Sequence, residues 1–257
     1  MAPLAFAVLL FVLSPLAGPL PQPPRLHFEN VRVICLDPGH GGDNHGAWTS
    51  IGVHEKDLTL PLAKAVRDHL IAMTDLEVVL TREADDSLTL PERAALANRV
   101  GADLFISLHL NSTEGAIADG VETFSLAESA TDEEAEKVAA AENAEPEPAG
   151  GLWRFEHRAV DRIVKTLQLR GAHLLSGTLA ATLQKAMVKE TGLRNRGAKS
   201  ARFGVLRGLE MPGVVLELGF ASNPSEIEFL TSSEYTPRLQ RAVFDAVMQM
   251  EKAFGGP

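Results

Sequence analysis

Short apolar runs alternate with amphipathic segments along most of this 257-residue chain. Six runs have the length and apolar character of buried strands. They cover 31–36, 77–82, 103–112, 121–126, 201–206 and 212–220. Apolar residues at helical spacing predict helices over 58–71, 88–99, 153–190, 225–230 and 235–254. This alternation predicts a single α/β domain, with a mostly parallel twisted sheet of about six strands and helices on both faces.

The first apolar run ends in the sequence Asp-Pro-Gly-His-Gly-Gly, which no regular element tolerates. Pro38 has no N–H group to donate, and the three glycines permit positive φ angles and close backbone approach. His40 is therefore expected on a tight turn at the carboxyl end of a core strand, which is where open α/β sheets bind ligands. For His40 alone, a polar turn residue without further function is an equally good interpretation.

Three more polar residues occupy unusual places in this pattern. His109 lies near the end of the third predicted strand, in a position comparable to that of His40. Glu55 stands where the first helix begins, and the helix dipole favours a carboxylate there even without a ligand. Glu217 lies inside the last strand, where a carboxylate is costly unless paired, metal-bound or near a charge. Two imidazoles and a carboxylate suit a catalytic zinc ion, with a further glutamate as general base.

Composition narrows the class of protein. The chain is 45% apolar, which is ample for one core, and its net charge of −10 argues against nucleic acid or an anionic membrane surface as main partner. Its single cysteine, Cys35, excludes an intrachain disulfide and a cysteine-based zinc cluster. Cys35 falls in the first strand and is expected to be a small buried residue. A bound metal would therefore need His, Glu or Asp ligands.

The amino-terminal segment suggests export. Residues 4–13 are uninterruptedly apolar, which is too short for a spanning helix but fits the apolar region of a signal peptide. No Lys or Arg precedes the run and no Ala-x-Ala site follows it, so residues 1–18 are interpreted as a signal peptide or an anchor. Residues 19–30 form a Pro-rich spacer. We expect an exported protein of the periplasm or cell wall, without stable membrane insertion once the signal is removed.

One stretch differs from the rest of the chain. Residues 128–147 carry eight acidic residues against one lysine, with alanines that favour a helix but no strong apolar face. Prolines and glycines end the stretch by residue 151. Two interpretations of 128–151 stay open, a solvated acidic excursion and a regulatory segment.

Five motifs occur in an order that resembles a known family. They are LDPGHGG at 36–42, EKD at 55–57, LTR at 80–82, SLHLNS at 107–112 and ELGFASN at 217–223. Each motif is weak by itself, but five in register resemble the zinc-dependent N-acetylmuramoyl-L-alanine amidases, the bacterial cell-separation amidases. The resemblance runs from about residue 32 to residue 254 and implies a catalytic domain over 31–257.

The resemblance also implies roles for individual residues. By it, His40, Glu55 and His109 are the ligands of a Zn²⁺ ion, and Glu217 is the catalytic glutamate. The substrate is peptidoglycan, and the bond cut is the amide between the lactyl group of N-acetylmuramic acid and L-alanine, for wall remodelling and daughter-cell separation. No wall-targeting domain is expected on either side, so localisation depends on the catalytic domain or on a partner.

Two further features follow from the resemblance. Arg82 and Arg93 match the family's Thr-Arg and downstream Arg, and we interpret them as structural rather than substrate-edge residues. Some family members carry an inserted helix that covers the zinc until an activator protein displaces it. Residues 128–151 stand where that insertion occurs, and a carboxylate such as Glu142 could reach the zinc. For any one named glutamate, a passive solvated loop is the competing interpretation.

Two rival functions use the same residues. A zinc carboxypeptidase or another amidohydrolase acting on wall-derived peptides would need the same ligand set and a different pocket. A wall-binding module that has lost activity would show a damaged ligand set, and all four positions are intact.

Overall fold

The computed structural model describes residues 25–113, 118–144 and 159–255, with side chains in the last range described from residue 171. The predicted signal segment, the first half of the spacer, the end of the acidic segment and the first residues of the predicted 153–190 helix lie outside these ranges. The strands are β1 Val33–Pro38, β2 Glu77–Leu80, β3 Leu104–Asn111, β4 Val121–Leu126, β5 Asn195–Ala201 and β6 Gly213–Phe220. The helices are α1 Glu55–Met73, α2 Leu90–Arg99, α3 Glu133–Glu142, α4 Ala159–Thr191, α5 Pro224–Leu230 and α6 Tyr235–Phe254.

The strands form one sheet in the order β2-β1-β3-β6-β4-β5. The first four strands in that order run parallel, whereas β4 pairs antiparallel with β6 and parallel with β5. The predicted mostly parallel, six-stranded α/β domain is therefore confirmed. Because β4 and β5 run in the opposite direction, their amino ends lie on the same side of the sheet as the carboxyl ends of β1, β3 and β6.

Helices cover both faces of the sheet. On one face, apolar residues of α1, α4 and α6 pack against the sheet in the larger core, where Val66, Leu183 and Val243 are fully buried. On the other face, α2 and α3 pack over a smaller core that contains Cys35 and Phe105. Every residue of β3 and β6 is buried, as expected of central strands covered on both sides. Among the helices of the described ranges, none has the length and apolar character that crossing a bilayer would require.

The fifth strand is not where the sequence predicted it. The apolar run at 201–206 is buried, but its second half forms a 3₁₀ turn, Gly204–Leu206, under α2. The strand is instead the polar Asn195–Ala201, which lies at the edge of the sheet and is mostly half-exposed. An edge strand does not need an apolar run, and this explains why hydrophobicity pointed to the wrong residues.

The acidic segment contains a docked helix. Asp132 caps α3 by accepting a hydrogen bond from the Ala135 N–H at 2.8 Å. After the helix, the Asn143 side chain accepts from Gly204 N at 2.5 Å and donates to the Arg202 carbonyl at 2.7 Å. A short apolar face made of Ala135, Val138 and Ala139 is buried in the smaller core. The described part of the segment is therefore a docked helix whose acidic face is mostly exposed, and its regulatory role stays a prediction.

Candidate metal centre

The turn that carries His40 is built on a buried carboxylate. Asp37, at the end of β1, accepts hydrogen bonds from Ser107 Oγ at 2.6 Å, Thr81 Oγ1 at 2.5 Å and Arg93 Nη1 at 2.8 Å. Burial raises the pKa of Asp37, but the Arg93 charge and these hydrogen bonds lower it by more, so the net shift is downward. Asp37 therefore remains a carboxylate that joins β1, β2, β3 and α2 beneath the turn.

Two buried arginines hold the backbone of the turn in place. Arg82 donates to the carbonyls of Pro38 and Gly39, each at 3.0 Å, and Arg93 donates to those of Pro38 and His40 at 2.9 and 2.7 Å. These contacts stabilise a φ of 58° at His40, which is unusual for a residue other than glycine. Both arginines have the structural role expected of them.

The structure brings the three predicted ligands together. His40 Nε2 lies 3.1 Å from Glu55 Oε2, and His109 Nδ1 lies 3.3 Å from Glu55 Oε1. The two imidazole rings meet edge to face with centroids 4.8 Å apart. Gly39 permits this approach, because a Cβ atom there would lie 2.6 Å from the His109 ring. The carboxyl ends of β1 and β3 and the start of α1 therefore meet on one side of the sheet.

Each ligand candidate is oriented by a contact of its own. His40 Nδ1 lies 2.9 Å from Asn44 Oδ1, which leaves Nε2 directed toward the other candidates. Glu55 accepts backbone hydrogen bonds from Ala47 N at 2.9 Å and Leu110 N at 2.7 Å, one at each oxygen. Burial raises the pKa of Glu55, but the adjacent histidines lower it by more, so this carboxyl is ionised.

Glu142, the last residue of α3, reaches the same cluster. Its Oε2 lies 2.8 Å from His109 Nδ1 and 3.4 Å from His40 Nε2. These three atoms are buried and make no hydrogen bond within the described part of the chain. Buried polar atoms are nearly always hydrogen-bonded, so three that converge without one fit a site for a metal ion. Imidazole nitrogen and carboxylate oxygen are donors that zinc accepts.

Glu217 lies fully buried on β6, where it pairs in register with His109 on one side and Glu122 on the other. Neither of its carboxylate oxygens has a hydrogen-bond partner among the described residues. Burial, followed by the nearby charge of Glu142, raises the pKa of Glu217 well above its ordinary value. A carboxyl group with a raised pKa is suited to accept and return a proton near neutral pH.

An open cavity of about 1620 Å³ leads to the cluster. Its walls include His40, Glu55 and Asn111 on the sheet side and Lys137 and Glu142 on α3. The helix therefore forms one wall of the cavity and places its last residue against the cluster.

Sequence reasoning missed one group of charged residues. The missed group consists of Glu122 on β4 with Arg196 and Lys199 on β5. Glu122 is fully buried. The argument that singled out Glu217, a carboxylate inside a predicted strand, applies equally to Glu122 and would have found it.

Fold and cluster together define an α/β domain with a histidine–carboxylate site of the kind that binds a divalent metal ion at the edge of a parallel sheet. Comparison with known proteins gives the family. Residues 34–249 match the family described as N-acetylmuramoyl-L-alanine amidase, and the chain belongs to it.

Relatives and solved structures agree with this assignment. The chain is 30% identical to the N-acetylmuramoyl-L-alanine amidase AmiA of Escherichia coli K12 over 218 residues, covering 84% of this chain and 75% of AmiA. It is 28% identical to a probable amidase AmiB of Haemophilus influenzae, covering 84% of this chain and 51% of that protein. The chain thus spans about half the length of AmiB and three quarters of AmiA.

A crystal structure of an N-acetylmuramoyl-L-alanine amidase from Clostridium difficile 630 superimposes with a TM-score of 0.66 at 28% identity, covering 88% of this chain and 99% of that one. The amidase AmiC2 of Nostoc punctiforme gives a TM-score of 0.64 at 26% identity, covering 86% and 97%. Both similarities extend over nearly the whole described domain.

Proposed function

We propose that this protein hydrolyses the amide bond between N-acetylmuramic acid and L-alanine in peptidoglycan, with a zinc ion held by His40, Glu55 and His109. The proposal rests on one observation. His40 Nε2 and His109 Nδ1 are buried without a hydrogen-bond partner among the described residues, and both lie beside the Glu55 carboxylate. His40 and Glu55 also line the open cavity. Zinc bound there would polarise the amide carbonyl and lower the pKa of a water molecule. Membership of the amidase family supports the choice of substrate.

Glu217 is proposed as the general base and acid. One of its carboxylate oxygens takes a proton from the water that attacks the lactyl carbonyl carbon. The same oxygen then gives this proton to the L-alanine nitrogen as the carbon–nitrogen bond breaks. Its full burial and its place beside His109 in the sheet register support this role.

We further propose that α3 restrains the enzyme. Glu142 lies 2.8 Å from His109 Nδ1 and would compete with water and substrate for the metal. The helix buries only Ala135, Val138 and Ala139, so it is held by few apolar contacts and is releasable at modest cost. A protein that binds the exposed part of 128–151 and draws α3 away would act as the activator.

Export to the periplasm or cell wall is proposed from the amino-terminal sequence, because the substrate lies outside the cytoplasm. A role in daughter-cell separation fits an amidase that is silent until an activator arrives.

The competing activity is a zinc carboxypeptidase on wall peptides, and the two differ in product. Incubation with purified peptidoglycan, followed by mass spectrometry of the soluble fraction, tests the proposal. The amidase releases stem peptides with a free L-alanine amine and leaves intact glycan, whereas a carboxypeptidase releases single amino acids. Release of single amino acids, or no release by a zinc-loaded chain freed of α3, would contradict the proposed function.

A further inference from the structure

Two cations of β5 lie beside the candidate active site and are covered by acidic residues of α3. Lys199 Nζ lies 3.0 Å from Glu134 Oε2 and 3.4 Å from Asp132 Oδ2. Arg196 donates from Nη2 to Glu134 and from Nε to Glu122. Both cations are nearly buried, with 10% and 12% of the side chain exposed for Lys199 and Arg196. The first turn of α3 is therefore fastened to this pair by its carboxylates.

Two of the three carboxylates paired with these cations belong to α3 and its N-cap. Glu122, fully buried on β4, lies 3.1 Å from Lys199 Nζ and neutralises one of the two cations permanently. Glu134 and Asp132 supply the remaining negative charge, and both belong to the helix that forms the cavity wall. When α3 leaves, one positive charge remains without a partner in this group, at the place that the helix carboxylates had occupied. That charge is then uncovered where Asp132 and Glu134 lined the cavity, and an anionic group of a ligand can take the place of the helix carboxylates.

The pair lies within reach of a substrate held at the metal centre. Across the sheet, His109, Glu217 and Glu122 are paired in one row, and Glu122 pairs with Gly197 on β5. Neighbouring strands are about 4.8 Å apart, so three spacings separate the backbone of His109 from that of Gly197 by about 14 Å. Three residues of an extended peptide span about 10 Å, and lysine carries its ammonium on a flexible four-carbon stem.

We propose that Arg196 and Lys199 form a carboxylate-binding subsite for an acidic residue within the first three positions of the stem peptide. In the restrained state, Glu134 and Asp132 of α3 occupy this subsite, so the helix imitates the acidic substrate that it excludes. The proposal rests on the proposed function for the identity of the substrate. It also accounts for the acidic character of the first turn of α3, which the position of Glu142 alone does not require.

The test uses an uncleavable probe, the free stem tripeptide, in two forms. One form has free carboxylates and the other has every carboxylate converted to an amide. Binding to the zinc-loaded full chain is measured by calorimetry for the unmodified protein, Glu134→Gln and Lys199→Met. Lys189→Met is the matched control, because Lys189 also pairs with two acidic residues, Glu190 and Asp245, but does so on the opposite face of the sheet.

The acidic form should bind Glu134→Gln about tenfold more tightly than the amide form, a difference of about 1.4 kcal/mol. Lys199→Met should abolish that preference, and Lys189→Met should bind both forms as the unmodified protein does. Because a zinc ion also attracts carboxylates, the loss of the preference in Lys199→Met with an unchanged zinc content is the result that assigns it to this pair. Equal binding of the two forms to Glu134→Gln, or no binding of either, would overturn the proposal even if Lys199→Met fails to fold. Failure of the proposed function would appear separately, as absence of muramyl-amide hydrolysis in the same samples.

Discussion

Replacing Glu142 by Ala should activate the enzyme. The side chain is 13% exposed, and its Oε2 lies within 3.4 Å of both candidate ligand histidines. Losing a close polar contact with a charged group of this kind costs about 1.5–3 kcal/mol. The remaining docking contacts are the buried Ala135, Val138 and Ala139, the hydrogen bonds of Asn143, and the ion pairs of Glu134 and Asp132 with the two β5 cations.

The loss of Glu142 removes the one docking contact of α3 that lies against the candidate ligands and leaves its other docking contacts in place. A change of about 1.5–3 kcal/mol shifts the ratio of open to closed helix by about 10- to 150-fold. We expect kcat/KM on solubilised peptidoglycan to rise about tenfold or more, up to the limit set by a fully open enzyme. The matched control is Glu136→Gln, because Glu136 is an exposed residue of the same helix and should leave the rate unchanged.

The assay is dye release from labelled peptidoglycan, with zinc content measured on the same samples. The double variant Glu142→Ala, Glu217→Gln should be inactive, which would show that the added activity uses the same site. A slower Glu142→Ala enzyme that has also lost zinc would refute the reasoning, since Glu142 would then help to retain the metal. Unchanged activity with zinc retained would also refute it, since α3 would then impose no restraint.

Three further predictions concern the site and its support. Glu217→Gln should keep the fold and zinc but lose about a hundredfold or more in kcat, because positioned proton transfer contributes about 10²–10⁴, and near-normal turnover would assign the base elsewhere. Chelation should abolish activity and lower the Tm, and added Zn²⁺ should restore both; activity that survives complete metal removal would exclude the zinc mechanism. Arg93→Met should lower the free energy of unfolding by about 3–5 kcal/mol, because it leaves Asp37 as a buried charge without its main partner, and urea titration measures this. Because folding lowers the pKa of Asp37, its carboxylate stabilises the folded state at pH values above its ordinary pKa of 3.8. This contribution is lost as the pH falls below that value. A series of urea titrations at acid pH should therefore show a smaller pH dependence for Arg93→Met than for the unmodified protein.

The resemblance named His40, Glu55 and His109 as ligands, and the sheet explains why they meet. The parallel strands β1 and β3 end on the same side of the sheet, which brings His40 and His109 together. The position of Glu55 followed from the start of α1, because the apolar residues of this helix recur at clear helical spacing. The local sequence pattern was sufficient to place these residues at the ends of strands and at the start of a helix.

Other parts of the site depend on contacts that a local pattern does not contain. β5 was misplaced because an edge strand is free to carry Arg196 and Lys199, whose charges are neutralised by Glu122 from another strand. The reversal of β4 relative to β6, which brings Glu122 beside Glu217, leaves no mark in hydrophobic periodicity. Glu142 was named from the resemblance and not from the local pattern, because its position depends on how α3 docks and three small apolar side chains give a weak signal by themselves.

The central claim is that this chain cuts the bond between muramic acid and L-alanine with zinc and Glu217. Digestion of purified peptidoglycan by the zinc-loaded Glu142→Ala chain, followed by mass spectrometry, tests it most directly. We predict stem peptides that begin with a free L-alanine amine, together with glycan strands that retain unsubstituted lactyl groups, and neither product when Glu217→Gln is added. Products cut within the stem peptide or between sugars, or the same products from the Glu217→Gln chain, would contradict the claim.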